Sequence, residues 1–243
     1  MKTIILGDIH GRSNWKDALA AHPDAERIIF MGDYFDSFDI SGADQLNNFN
    51  EIIRFKEETD KEVIMLIGNH DHHYMDIGET YSGYQAAMQW DFNDALKKNM
   101  NHLQIAYLLD DVLFTHAGIS PVWMDITFDE WSHDTLVEQL NELYQARPIL
   151  FNFSHLGGFD PNGNSIEQGP LWIRPRSLIS SNTGDDGLKD HFRQVVGHTQ
   201  VNNISDSFKA TEKTMDSRYY LVDAMDSGGY AIYENKELKP IQL

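Results

Sequence analysis

The stretch VIMLIGNHDHH, residues 63–73, changes character half way along. Val63 to Ile67 is a short continuous apolar run, which reads as a buried strand. At Gly68 it breaks into polar side chains able to bind metals. A strand that feeds Gly-Asn-His-Asp places Asn69 and His70 at the carboxyl edge of a sheet, where open α/β sheets build their sites. Asn69 offers a neutral oxygen ligand, and His70 a nitrogen that titrates near neutral pH. Taken alone, the stretch fits an ordinary polar loop with an incidental histidine equally well.

The same grammar recurs twice upstream. KTIILGDIHG spans residues 2–11 and RIIFMGDYFD residues 27–36. Each is an apolar strand, a glycine, then an aspartate. Asp8 and His10 stand at i and i+2, so in extended backbone they point the same way while Ile9 turns back to the core. Asp33 follows the second strand as Asn69 follows the third. Three strand ends thus deliver Asp8, His10, Asp33, Asn69 and His70 to one edge. His116 in LFTHAG and His198 in VVGHT follow two further apolar strands. Asp, His and Asn ligands suit Mn, Fe or Zn better than Ca. A carboxylate such as Asp33 can bridge two ions about 3.5–4 Å apart, the spacing used for in-line displacement at phosphorus.

Composition narrows the class. The chain has 243 residues, 41% hydrophobic and 12% aromatic, as a packed globular protein requires. No apolar run approaches the roughly 18 residues of a membrane span. A strand begins within a few residues of Met1 with no signal-peptide pattern, and there is no cysteine for disulfides or thiolate metal sites. A cytoplasmic location is the expectation. The net charge of −19 disfavours anionic membranes and stable nucleic-acid binding; bound divalent cations would offset part of it.

Along the chain, strands are expected at Thr3–Leu6, Arg27–Met31, Val63–Ile67, Leu103–Leu109 and Val112–Thr115, the last two joined by a turn at Asp110-Asp111. Further strands are expected at Val195–Val196, Tyr219–Val222 and Tyr230–Tyr233, the last pair around a Gly228-Gly229 turn. Helices are expected from a Ser13 cap to Ala21, over Ala43–Glu58 with Leu46, Phe49 and Ile53 inward, and over Tyr84–Lys98. Another runs from a Thr127–Glu130 capping box to Gln145, with Leu136, Leu140 and Leu143 inward. Gly157-Gly158, Pro161, Gly163, Gly169 and Pro170 mark Arg147 to Gly187 as a long loop region. No repeat or linker divides the chain, so one domain over residues 1–243 is expected.

The motifs GDIHG (7–11), GDYFD (32–36), GNHD (68–71), HAGIS (116–120) and GHT (197–199) together resemble the calcineurin-like metallophosphoesterases. The likeness is greatest to the branch of phosphoprotein phosphatases and symmetric diadenosine tetraphosphate hydrolases. It implies a four-layer αββα sandwich of two mixed β-sheets flanked by helices. It implies two divalent ions (Mn, Fe or Zn): Asp8 and His10 on the first, Asn69, His116 and His198 on the second, Asp33 bridging. It implies His70 as general acid, Asp36 as its orienting partner, and a metal-bridging hydroxide as nucleophile. Two departures stand out. Gln200 stands where many relatives carry a histidine after GHT, which fits the phosphatase branch. Ser37 and Phe38 follow Asp36, where that branch has an arginine that clamps phosphate. Gly169 to Arg174, GPLWIR, resembles the family's other arginine pattern and makes Arg174 the phosphate contact, with Arg12 and Arg176 as substitutes. HAGISPVW resembles a stretch of the tetraphosphate hydrolases, in which Trp123 is either a buried turn residue or a substrate contact. His72 and His73 are expected to be solvated; His22, His102, His133, His155 and His191 receive no role.

The resemblance implies a phosphatase of the serine/threonine phosphatase-like branch, with a phosphorylated small molecule, nucleotide or phosphoprotein as substrate. The alternatives are a diadenosine polyphosphate hydrolase, a cyclic-nucleotide or nucleic-acid phosphodiesterase, and a non-catalytic metal-binding scaffold.

Overall fold

The computed structural model describes residues 1–75, 77–153, 160, 162–182, 188, 191–213 and 218–243, with side chains at all of these but 210–213. Strands β1 (Thr3–Leu6), β2 (Arg27–Phe30) and β3 (Glu62–Leu66) lie parallel, and β4 (Leu103–Gln104) joins them beside β3. A second sheet holds β5 (Ala106–Leu109), β6 (Val112–Thr115), β7 (Arg193–Val196) and β8 (Tyr219–Leu221). In it β5 and β6 pair antiparallel, while β6, β7 and β8 run parallel. Strands β9 (Gly229–Glu234) and β10 (Glu237–Gln242) return antiparallel to the first sheet beside β1.

Period-two alternation makes the sandwich. Ile4, Leu6, Ile28, Phe30, Val63 and Met65 pack outward with Trp15 and Ala18 of α1 (Trp15–Ala21) and Phe49 and Ile52 of α2 (Gly42–Glu58). A single helical turn, α3 (Asn69–His72), follows β3; beyond it Phe92 and Leu96 of α4 (Gln89–Lys98) join the same layer. The alternate residues Ile5, Ile29, Met31, Ile64 and Leu66 turn inward onto Val112, Phe114 and Val195 of the second sheet. Both faces are covered, which is why these strands read as unbroken apolar runs. The second sheet is covered in turn. Leu113 packs into the cluster that holds Trp123 of α5 (Pro121–Thr127) and Leu140 of α6 (Leu136–Ala146). Leu178 of α7 (Pro175–Ser181) packs on Val196 and Tyr219. Ile204 and Phe208 of α8 (Ile204–Lys213) enter the layer between the sheets. The architecture is mixed α/β, with two mixed sheets flanked by helices, as expected.

Several local expectations fail for tertiary reasons. Leu103–Leu109 is not one strand: the chain leaves the first sheet after Gln104 and enters the second at Ala106. The amides of Ile105 and Ala106 both donate to Asn141 Oδ1 at 2.8 and 3.0 Å, so a side chain supplies the acceptor where the ladder stops. Thr127 ends α5 instead of capping the next helix, because Pro121 and the Ser120 cap start α5 upstream. Helix α6 begins at Leu136 and buries Tyr144 rather than Leu143. Helix α1 starts at Trp15 without a side-chain cap from Ser13, and α4 is preceded by a 3-10 turn over Ala86–Met88. Helix α7 and a 3-10 turn over Pro148–Phe151 lie inside the stretch read as loop. The strands on either side of Gly228 belong to different sheets. His155, Gly157-Gly158, Pro161 and Gly187 lie outside the described residues.

Candidate metal centre

Strands β1, β2, β3, β7 and β8 lead into one cavity of about 690 Å³, and His116, after β6, lies buried behind Asn69 at its floor. The glycines before the polar residues let the strand ends approach. A Cβ on Gly68 would stand 2.0 Å from Asp33 Oδ1, and one on Gly197 would stand 2.2 Å from Asp8 Oδ1. His10, Asp33, Asp36 and His198 have φ of 42°, 52°, 67° and 61°, a left-handed conformation disfavoured for residues with a side chain. Backbone bonds hold it, among them His10 N–H to Asp33 O at 2.6 Å. Asp71, given no role in the sequence, ties two loops together. Its carboxylate accepts the N–H groups of Asp33 and Tyr34 at 2.8 Å and of Gly68 at 2.9 Å. It sits on α3, a helical turn where loop was expected.

Two sets of acceptors converge. Asp8, His10 and Asp33 place ligand atoms within 4.8 Å of one another. His10 Nδ1 donates to the Phe35 carbonyl at 2.6 Å, so Nε2 presents a lone pair 3.8 Å from Asp33 Oδ2. In the second set, Asn69 Oδ1 lies 2.9 Å from His116 Nε2 and 2.7 Å from His198 Nδ1. The opposite nitrogens of these rings donate to the carbonyls of Met31 at 2.9 Å and Trp172 at 3.1 Å. The ring atoms facing Asn69 are therefore lone pairs, and Asp33 Oδ2 joins them 3.4 Å from His116. With the two rings neutral, acceptors face acceptors, and a cation is a group that satisfies such a set. The carbonyls behind the rings fix the tautomer as partners of metal-bound histidines do. Both sets share Asp33.

The electrostatics agree. Burial pushes the Asp8 carboxyl well above its ordinary value, and the charges of Asp223 and Asp33 add to this. Burial acts in the same direction on Asp33, but the His116, His70 and His10 imidazoles outweigh it and hold that carboxyl well below the usual range. Asp223 lines the cavity, and burial with the Asp33 charge pushes it up to about 7. It was missed in the sequence although it follows β8 closely, as Asp33 follows β2.

Beside these sets, His70 Nδ1 donates to Asp36 Oδ2 at 2.9 Å. Burial works to lower the His70 pKa, but Asp33 and Asp36 raise it to about 9. The Tyr74 hydroxyl donates to Asp36 Oδ1 at 2.5 Å. His72 and His73 are not solvated: both are buried. The turn of α3 winds them inward, His72 between the Tyr144 hydroxyl and Asn152 Oδ1, each at 2.9 Å, and His73 beside Asp36.

The arginines separate. Arg174 lines the cavity, with one terminal nitrogen bound to the His198 carbonyl at 2.8 Å and Thr199 Oγ1 at 3.1 Å. Arg12 also lines it but is paired with Asp226 and lies 3.5 Å from Asp39. Arg176 is exposed on α7 and does not line the cavity. Ser37 and Phe38 occupy the mouth, Phe38 with 88% of its surface exposed. Gln200 lines the cavity and donates to Asp226 at 2.6 Å. Trp123 is buried against Phe151, away from the cavity, whereas Tyr81, Phe153 and Trp172 form an aromatic wall within it.

Comparison with known proteins places the chain in a family. Residues 1–214 match the family model for calcineurin-like phosphoesterases, and the chain belongs to that family. A symmetrical bis(5'-nucleosyl)-tetraphosphatase from Marinomonas sp. (strain MWYL1) is 22% identical over 174 residues, covering 67% of this chain and 58% of that protein. The matched region thus spans little more than half of that relative. A solved protein serine/threonine phosphatase from Saccharomyces cerevisiae superposes with a TM-score of 0.53 at 14% identity, over 100% of this chain and 80% of that one. It shares the fold.

Proposed function

We propose that the protein hydrolyses a phosphoester or phosphoanhydride with two divalent cations, Mn, Fe or Zn. The observation that carries this is the meeting of lone pairs around Asp33 next to the His70–Asp36 pair. Asp8 and His10 would hold one cation, Asn69, His116 and His198 the other, and Asp33 both. Such a pair, when bound, supplies Lewis-acid polarisation of phosphoryl oxygens and lowers the pKa of water.

The chain's own residues do the rest. His70, held through Nδ1 by Asp36, keeps Nε2 as the proton donor for the leaving oxygen. Asp36 fixes the ring and supports its positive charge. Arg174 offers a guanidinium to substrate phosphate, already oriented by the His198 carbonyl and Thr199. Arg12 is committed to Asp226 and is the weaker candidate, and Arg176 stands outside the cavity.

The reading favoured for the substrate is a phosphomonoester, in keeping with the phosphatase branch. Phosphoproteins fit less well than phosphorylated small molecules or nucleotides, since Ser37 and Phe38 leave no clamp after Asp36. The aromatic wall of Tyr81, Phe153 and Trp172 supports a second reading, a dinucleoside polyphosphate, because planar bases stack on such surfaces. A panel of phosphopeptides, nucleotides, diadenosine polyphosphates, cyclic nucleotides and bis-p-nitrophenyl phosphate, run with Mn2+ and with chelator, separates these. Turnover of none of them with metal present would leave a binding scaffold as the better reading.

A further inference from the structure

Asp36 has more partners than a two-residue acid pair requires. It is buried, and three side chains of one short segment reach it. His70 Nδ1 lies 2.9 Å from Oδ2, the Tyr74 hydroxyl 2.5 Å from Oδ1, and His73 Nε2 2.6 Å from the same Oδ2 that serves His70. The turn of α3 explains the convergence: His70 and His73 stand three residues apart, on the same side of a helical turn.

The tautomer of His73 follows from its other nitrogen. Nδ1 accepts the backbone N–H of Tyr81 at 3.3 Å, so the ring proton sits on Nε2. The Nε2–H is bent off the line to Oδ2, so the contact is a close charge–dipole one rather than a linear hydrogen bond. At that separation only the protonated side of a ring can face a carboxylate. Asp36, His70 and His73 also lie close enough to hold a cation. The Tyr81 amide argues against that: a cation on Nε2 would move the ring proton to Nδ1 and set it against the Tyr81 N–H.

We propose that His73 is a positioning residue for the His70–Asp36 pair. With the Tyr74 hydroxyl bonded to one oxygen and the His73 dipole close against the other, rotation of the Asp36 carboxylate is opposed, and Oδ2 keeps a lone pair on His70 Nδ1. His70 therefore holds its second nitrogen toward the cavity. His73 also ties this pair to the aromatic wall, since Tyr81 packs on Trp172 with ring centres 4.4 Å apart. The proposal rests on the reading of His70 as the acid.

The test measures kcat and KM of Mn-loaded enzyme on phenyl phosphate and p-nitrophenyl phosphate, with metal content determined alongside. His73→Phe, which fills the space without a donor, should lower kcat on phenyl phosphate about tenfold and on p-nitrophenyl phosphate by less than about twofold, a fraction of what a general acid contributes. KM and metal content should stay near wild type. His73→Gln, whose amide reaches the Nε2 position, should restore most of the loss. His70→Asn is run beside them. If it slows both substrates equally, the acid reading falls. If it discriminates between them and His73→Phe does not, the positioning proposal alone falls. Equal losses for Gln and Phe, or activity lost in step with metal, also overturn it. Should His73→Phe fail to fold, the 15N spectrum of the wild-type histidines decides: Nε2–H at His73 supports the proposal and Nδ1–H overturns it.

Discussion

Four side chains at the centre, His10, Asp33, Asp36 and His198, hold positive φ. Conformations of this kind cost about 1–3 kcal/mol each and persist only where the surroundings fix them. Here Asp71 holds the Asp33 amide, the Asp33 carbonyl holds that of His10 and the Asp8 carboxylate holds that of His198, and all four side chains line the cavity. On this scale His70→Asn is expected to lower kcat by roughly 10²–10⁴-fold with metal content unchanged, the loss shrinking on p-nitrophenyl esters, whose leaving group needs little protonation. Turnover with elemental analysis checks it. Asp33→Asn is expected to weaken retention of both cations and Asp8→Asn chiefly of one, as titration calorimetry with Mn2+ reads directly. His72 gives a pH effect. Burial pulls its pKa from 6.5 to about 4, despite the bond its Nε2–H donates to Asn152 Oδ1. Between those values the unfolded chain binds the extra proton and the folded chain does not. Its stabilising contribution is therefore complete above about pH 6.5 and lost as pH falls toward 4, by about 2 kcal/mol between pH 7 and pH 5. Urea unfolding at both pH values should show that slope in the wild type and a shallower one in His72→Gln.

Among the elements, the site depends on how closely strand ends from two sheets approach. Gly68, after β3, is pressed against Asp33 from the β2 loop, and Gly197, after β7, against Asp8 from the β1 loop. An alanine at either place must push a buried carboxylate aside. If Asp33 bridges as proposed, Gly68→Ala should loosen both cations, and Gly197→Ala mainly the one proposed for Asp8. Metal stoichiometry after gel filtration tests this, and two full equivalents in both variants would show that the strand ends yield. The crossover at Ile105 is a second device of this kind. Asn141 caps the amides of Ile105 and Ala106 and so fixes where the chain passes from the first sheet to the second.

Over the whole molecule, the charge of −19 is gathered unevenly, with Asp8, Asp33 and Asp71 buried near one another and Asp223 half-buried beside them. Burial and the Asp33 charge push Asp71 up to about 7 even against its backbone donors. Cations that bind this cluster only when it is folded stabilise the protein by mass action, by about 2.7 kcal/mol for each site at a hundredfold excess over Kd. Chelation should therefore lower the melting temperature by roughly 5–10 °C for each cation removed, and about twice that for both, given about 2–4 °C per kcal/mol at this size. Calorimetry with EDTA and after addition of Mn2+ tests it; superimposable melts would mean the cluster holds no cation.

Strands β1, β2 and β3 and the polar residues at their ends are legible in the chain alone. Those signals are local: an apolar run long enough for two covered faces, a glycine, then a ligand-type side chain. The two-sheet sandwich was implied too, through the spaced motifs from GDIHG to GHT. Packing settled which side chains meet across the turns. It broke Leu103–Leu109 between two sheets, where sequence shows one apolar run. It buried His72 and His73, which their spacing from His70 does not reveal unless α3 is known to turn there. It brought Asp223, far along the chain, beside Asp8, and it bound Arg12 to Asp226 while leaving Arg174 against the cavity. The physical reason is the same in each case. Hydrophobic period and turn chemistry act over a few residues and are written in the sequence, whereas the partner of a buried polar group is set by how distant segments pack.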